Sequence, residues 1–166
     1  MLELIGGNIC SLLAMVTDSV SASQKTTKGV LLVQVLSQFF YGAGAFILKG
    51  YSAVVQNVVS ILRNLAATRP NFPKVFQWSF VVLGVVLGIA FNNRGLVGFL
   101  PVVANGMYSV TMCIVKDNEY ALKFAFLINT LLYAIFNFAI LNIVGGIGNG
   151  IVVLTTAFFL IKTKKK

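Results

Sequence analysis

Asn57 and Asn149 are the side chains of this sequence best suited to meet a polar ligand, and each sits inside a long apolar run. An amide offers both donors and acceptors. Two of them suit a neutral or zwitterionic solute bearing hydroxyl, amide or ring-nitrogen groups. Other polar residues recur around them at helical spacing, so that each apolar run carries one polar face. One run has Gln34, Ser37, Gln38 and Tyr41, and the next has Asn57, Ser60 and Asn64 with Arg63 adjacent. Further on come Asn105, Tyr108 and Ser109, then Asn129, Tyr133 and Asn137, then Asn142, Asn149 and Thr156. Tyrosines add flat apolar faces with a polar tip. The expected solute lining is therefore Asn57, Asn149, Gln38, Tyr41, Tyr133, Asn129, Asn105 and Tyr108. The structural alternative is that Asn57 and Asn149 only bond across a helix interface, which is worth roughly 0.6–2 kcal/mol.

Two ionisable residues stand apart. Asp18 is the only acid well inside an apolar run, and Arg63 lies near the same level two runs later. Asp18 either neutralises Arg63 or Lys25, or forms an inner gate or proton-coupling site, since charges at depth mark transport paths. The remaining chemistry is thin. The chain has no His, and its two cysteines, Cys10 and Cys113, lie in different apolar runs. Clustered carboxylates, a serine with a visible base and metal-ligand spacing are all missing, so neither an enzyme, a cofactor nor a metal is expected.

These residues have to be positioned by long helices. Apolar residues make up 58% of the chain and charged ones 10%, with a mean hydropathy of +0.90. Soluble domains sit near 45–50% and about 25%. Seven runs can be marked: Leu4–Val20, Val30–Leu48, Tyr51–Ala66, Val75–Phe91, Gly95–Val115, Tyr120–Leu141 and Ile143–Ile161. At about 1.5 Å per residue each is expected to be long enough to cross a hydrocarbon layer of about 30 Å, some with their polar flanks included. An all-α polytopic membrane protein follows, with the lipid bilayer as its first partner. The net charge of +9 is scattered between the runs rather than gathered on a soluble face, which argues against nucleic acid. Glu3 without a nearby Lys or Arg makes the first run a retained helix rather than a signal peptide.

Charge also sets an expected orientation. If the tail Lys162, Lys164, Lys165 and Lys166 is cytoplasmic, so are Lys25, Lys28, Arg63, Arg69, Lys74, Lys116 and Lys123, leaving only Lys49 and Arg94 outside. The positive-inside rule selects N-out, C-in.

An offset of 92 positions lays Val30–Ala66 over Leu122–Phe158, matching Tyr41 to Tyr133, Phe46 to Phe138, Asn57 to Asn149 and Leu62 to Leu154. With a two-residue adjustment, Ala14, Ser19 and Val20 meet Ala104, Ser109 and Val110. Two repeats of three spans run parallel only if one further span separates them. The fourth run has only Gln77 and Ser79, both near its start, as polar residues, and offers Gly84 and Gly88 for close packing. The expected organisation is 3+1+3: residues 1–68 as one triple-helix bundle, 69–94 as a linker helix with its loops, and 95–166 as the second bundle with its basic tail. The Gly84/Gly88 face suits a homo-oligomer as well as packing within one chain. Gly145, Gly146, Gly148 and Gly150 surround Asn149, and each needs either a close neighbour or an opened helix. Pro101 is a candidate hinge in the fifth run.

The segment Asp18-Ser19-Val20-Ser21-Ala22-Ser23, with Lys25, Lys28, Gln34 and Asn57 through Arg63-Asn64, resembles YgjV-type bacterial inner-membrane proteins. That resemblance implies a multi-pass protein of the bacterial cytoplasmic membrane. The helix plan is in turn similar to the SWEET / PQ-loop superfamily, which implies passage of a solute between two bundles. In sugar carriers of that kind an Asn on the third helix of each bundle faces the central pocket, and Asn57 and Asn149 match those places. Gln38, Tyr41 and Tyr133 correspond to pocket residues of the second helices. Two features depart from that plan. Ser37-Gln38 stands where the group has Pro-Gln, and the single tryptophan, Trp78, lies on the linker. The resemblance implies a carrier of a small neutral or zwitterionic solute by alternating access; the same fold also serves receptors and assembly partners without net transport.

Overall fold

The computed structural model describes residues 1–22, 27–69, 73–115 and 119–164. Lys25, Lys116, Lys165 and Lys166, and the side chains of Ser19, Lys74, Lys162 and Lys164, lie outside what is described. The described residues form seven helices and no strand: α1 (Leu2–Ala22), α2 (Thr27–Ile47), α3 (Tyr51–Ala67), α4 (Lys74–Ala90), α5 (Phe99–Ile114), α6 (Glu119–Ala139) and α7 (Ile143–Lys164). Among them α6 is long and apolar enough to span a bilayer by length and composition over Tyr120–Ala139. Leu31–Ile47, Val75–Ala90, Phe99–Ile114 and Ile143–Phe158 are shorter apolar helices.

The helix limits follow the apolar runs closely except at α5, which starts at Phe99 rather than Gly95. Gly95 has φ +56 and so cannot continue a helix. The amide of Asn92 holds the turn, donating to the Gly95 carbonyl at 2.9 Å and accepting from Arg94 N–H at 3.0 Å.

The burial pattern is the reverse of a water-soluble protein's. Ser11, Ser37 and Ser52 are fully buried and Gln56, Asn57, Ser60, Asn64 and Asn105 nearly so, whereas Phe39, Phe46, Val82, Val86, Leu154 and Phe158 face outward. Polar groups turned inward and large apolar ones turned outward fit a hydrocarbon surround.

Each helix packs on its chain neighbours, α7 closes on α1, and α3 also touches α5 directly. The result is a ring of six, α1–α2–α3–α5–α6–α7, with α4 braced outside against α3 and α5. Among the described residues α1 does not touch α3, and α5 does not touch α7, so each three-helix group is a curved row with its second helix in the middle. Packed axes lie about 8–10 Å apart, which puts opposite axes of such a ring about 16–20 Å apart. A helix with its side chains is about 10–12 Å wide, so no backbone occupies the middle of such a ring.

The offset of 92 reappears in backbone geometry. Helix α2 ends with Lys49 at φ 58, and α6 ends with Leu141 at φ 62. Lys49 N–H bonds Phe46 O at 3.0 Å and Gly50 N–H bonds Ala45 O at 2.8 Å. In the second repeat Leu141 N–H bonds Phe138 O at 3.1 Å and Asn142 N–H bonds Asn137 O at 2.8 Å. Both are Schellman endings, with a left-handed residue that is not glycine. The next helix then starts alike, Val54 N–H bonding Gly50 O and Gly146 N–H bonding Asn142 O.

Packing is tightest where glycine removes a side chain. A Cβ on Gly44 would stand 3.0 Å from Gly7 O and 3.2 Å from Cys10 Cβ, which brings α1 and α2 together. The glycines of α4 lie inside the chain: a Cβ on Gly84 would stand 3.3 Å from Gln56 Oε1, and one on Gly88 2.7 Å from Val102 Cγ2. Near the N-terminal end of the ring, Phe136 is fully buried among Ala45, Leu48, Ala53 and Ile140 and joins α6 to α2 and α3.

Candidate functional site

Two polar clusters occupy the interior on different sides of the ring. The first joins α1, α2 and α3. Asp18 takes the hydroxyls of Ser37 and Tyr41 as its polar partners. Ser37 Oγ also lies 3.0 Å from Gln34 O, and Asn64 Nδ2 donates to Gln34 Oε1 at 3.4 Å. Helix α2 brings Gln34, Ser37 and Tyr41 to one face because they are spaced three and four apart.

The second cluster joins α3, α5 and α6 around Arg63. Its Nη1 donates to Ser109 Oγ at 2.9 Å, and Tyr108, Tyr133 and Cys113 stand within electrostatic range of the guanidinium. The Tyr108 ring leans on Phe126 at 5.9 Å between centroids. Asp18 and Arg63 are not brought together. The one ion pair among the described residues joins Glu3 to Lys49 at 3.3 Å, and it is exposed. Each inward charge thus faces neutral hydroxyls. The reason is rotational: Asp18 faces α2 and Arg63 faces α5, while α1 and α3 do not touch.

The expected amide pair is likewise separated. Asn57 is buried against Gly42 of α2, and its Nδ2 donates within its own helix to Ala53 O at 2.9 Å. Asn149 is half-buried on α7, which does not contact α3, and it makes no side-chain hydrogen bond among the described residues. Gln38 and Asn129 are also half-buried and unbonded among the described residues. Asn105 is used differently. Its Nδ2 donates to Gln56 Oε1 at 2.9 Å and Ser60 Oγ at 3.3 Å, while Gln56 Nε2 donates to Gly84 O at 2.7 Å. This buried knot ties α3, α4 and α5, so Asn105 serves the brace rather than an open lining. Asn137 and Asn142 serve the α6–α7 turn: Asn142 Oδ1 accepts from Gly145 N–H at 3.1 Å and caps α7.

Sequence reasoning missed the fastening of the N-terminal end of the ring. Asn8 of α1 reaches the α6–α7 turn, donating to Leu141 O at 3.2 Å and accepting from Val144 N–H at 2.8 Å. Asn93, before α5, does the same for the α2–α3 turn, donating to Lys49 O at 2.7 Å and accepting from Tyr51 N–H at 3.1 Å. The turn of each repeat is therefore held by an asparagine from outside it. Arg94 adds to one side only, with Nε on Lys49 O at 3.0 Å and Nη2 on Leu48 O, at the negative end of α2. The signal available was an amide in the first turns of an otherwise apolar helix, and an Asn-Arg pair directly before Gly95.

No curated protein and no solved structure matches the chain. The model of the family described as a bacterial inner membrane protein, Imp-YgjV, matches residues 5–166. An inverted burial pattern, an all-helical ring and a match over nearly the full length agree: the chain belongs to the YgjV family of bacterial inner membrane proteins.

Proposed function

We propose that the protein is a carrier of a small polar solute, neutral or zwitterionic overall, working by alternating access between α1–α3 and α5–α7. The observation that carries this reading is the pair Asp18 and Arg63, held inside the ring on different helices and not spent on each other. A charge costs about 2.5–3.5 kcal/mol at the centre of a membrane helix on insertion scales and less one turn from its end, where Asp18 and Arg63 stand, and it is retained where it faces a path or a partner. Two such charges, each ringed by hydroxyls, are poorly explained by scaffolding, which a simple ion pair would serve better. Supporting features are the backbone-free middle of the ring and the repeated geometry of its two halves. The Phe136 cluster and the two asparagine fastenings suit a state shut at the N-terminal end. With N-out, C-in orientation that state faces the cytoplasm.

The test is a thermal-shift screen of purified protein against sugars, nucleosides, vitamins and amino acids, with Asp18→Asn alongside, followed by liposome uptake of any hit. A compound that stabilises wild type but not Asp18→Asn, and that accumulates in liposomes, supports the carrier. Silence across the panel from well-folded protein removes it. The second reading, a membrane receptor or assembly partner without net transport, draws on one observation. An apolar groove lined by Leu4, Ile5, Ile9, Leu12 and Val144 lies open between α1 and α7, where another membrane helix could seat.

A further inference from the structure

We propose that Arg63 anchors an oxyanion subsite, so that the ligand entering the ring carries a carboxylate or a phosphate-type group. That this ligand is a transported solute rests on the carrier reading; the anion chemistry does not. A guanidinium has five N–H donors in a planar fork. One of them is taken by Ser109 Oγ at 2.9 Å, and the other groups around it are the phenols of Tyr108 and Tyr133 and the thiol of Cys113. Among the described residues no carboxylate pairs with it. Arg94 shows what a structural arginine looks like in this fold, with both arms on backbone carbonyls at the end of α2. Arg63 has no such backbone partners among the described residues and faces groups that are themselves donors.

That composition selects the ligand. A hydroxyl beside a guanidinium can only accept from it, and leaves its own proton pointing elsewhere. An oxyanion beside Arg63 and Ser109 receives the free N–H donors of the guanidinium and the Ser109 proton, converting a neutral contact into charge-assisted ones, with Tyr108 and Tyr133 as further hydroxyl donors on the same side of the ring. A neutral sugar would leave the guanidinium without a counter-charge in a low-dielectric site, which is expensive. Asp18 lies on the other cluster with Ser37 and Tyr41 and Glu3 pairs with Lys49, so neither carboxylate whose side chain is described supplies a counter-charge to Arg63. The oxyanion could belong to a free solute or to the headgroup of an anionic lipid, and the experiment separates the two.

Cys113 is a reporter already in place within electrostatic range of Arg63, and Cys10→Ser removes the only other thiol. On purified detergent-solubilised protein, Cys113 labelling by an anionic and a cationic methanethiosulfonate is compared, each rate divided by that of a free thiol. The subsite should favour the anionic reagent by on the order of tenfold or more, the effect of a nearby unpaired charge at intermediate dielectric. Arg63→Gln should bring the ratio near unity, and Arg63→Lys should keep most of it. Inorganic phosphate or short carboxylates should slow labelling where chloride at equal ionic strength does not, which identifies a soluble anion. Slowing by phosphatidylglycerol alone keeps the oxyanion subsite and assigns it to lipid. Equal labelling by both reagents, unchanged in Arg63→Gln, overturns the proposal. If that variant does not fold, failure of phosphate, carboxylates and lipid to protect wild type overturns it instead. None of these readouts needs transport, so a failed carrier reading and a failed anion subsite remain distinguishable.

Discussion

Replacing Asn8 with Ala should cost about 1–2 kcal/mol of stability, more than the same change at Asn93. Asn8 Oδ1 accepts from Val144 N–H at 2.8 Å and Nδ2 reaches Leu141 O at 3.2 Å. Val144 is in the first turn of α7, where backbone N–H groups have no partner within the helix. Asn142 caps only the Gly145 N–H, and so cannot take over. One good and one long hydrogen bond at a partly buried site, at about 0.5–1.5 kcal/mol each, give the figure. At the other turn, Asn93→Ala leaves Lys49 O still bonded to Arg94 Nε, and the freed Tyr51 N–H is at an exposed position. The loss there should stay below about 0.5–1 kcal/mol. Unfolding titrations in mixed micelles would measure both, with Asn8→Asp as an intermediate that keeps the acceptor near the positive start of α7. Asn8→Ala within about 0.3 kcal/mol of wild type, or Asn93→Ala as costly as Asn8→Ala, would refute the fastening account.

Lys49→Gly and Leu141→Gly should each stabilise the fold by about 0.5–1 kcal/mol, because both residues hold a left-handed backbone at φ 58 and φ 62; the same titrations check this, and a loss at both sites counts against the Schellman description. Gly148→Leu should destabilise by about 1–3 kcal/mol, since its Cβ would stand 2.6 Å from Met15 Sδ of α1. Gly150→Leu, with nothing within 4 Å of a Cβ, should be neutral or gain slightly from helix propensity; equal effects at the two glycines would count against close α1–α7 packing as the reason for Gly148.

The helices and their polar faces were legible because both are local. A run of apolar residues fixes a helix, and spacing by three and four fixes its face, as with Gln34, Ser37 and Tyr41. The repeat was legible too: the offset that aligns Asn57 with Asn149 also superposes Lys49 on Leu141 in backbone conformation. Partnership was not legible, because it depends on which helices touch and how each is rotated. Asp18 and Arg63 stand at one level along the chain plan, yet α1 and α3 are held apart by α2. Asn57 turns to α2 and Asn149 sits on a helix that α3 never meets. Gln56, adjacent to Asn57 and one hundred degrees around the helix, carries the buried knot instead.

The Asn8 fastening has a consequence for how the protein is made. Asn8 leaves the ribosome early, yet its partner Val144 lies 136 residues away. At about 5–20 residues per second the amide waits roughly 7–27 s for α7 to be synthesised. During that interval its donor is not idle, because Asn8 Nδ2 also bonds Leu4 O, one turn back, at 2.8 Å. The local bond lets α1 enter the bilayer with its amide satisfied, and the arrival of α7 then adds Leu141 and Val144 to a side chain already in place. Closure of the ring thus waits for α7, and a nascent chain stalled before α7 would hold an open row of helices with α1 prepared to receive it.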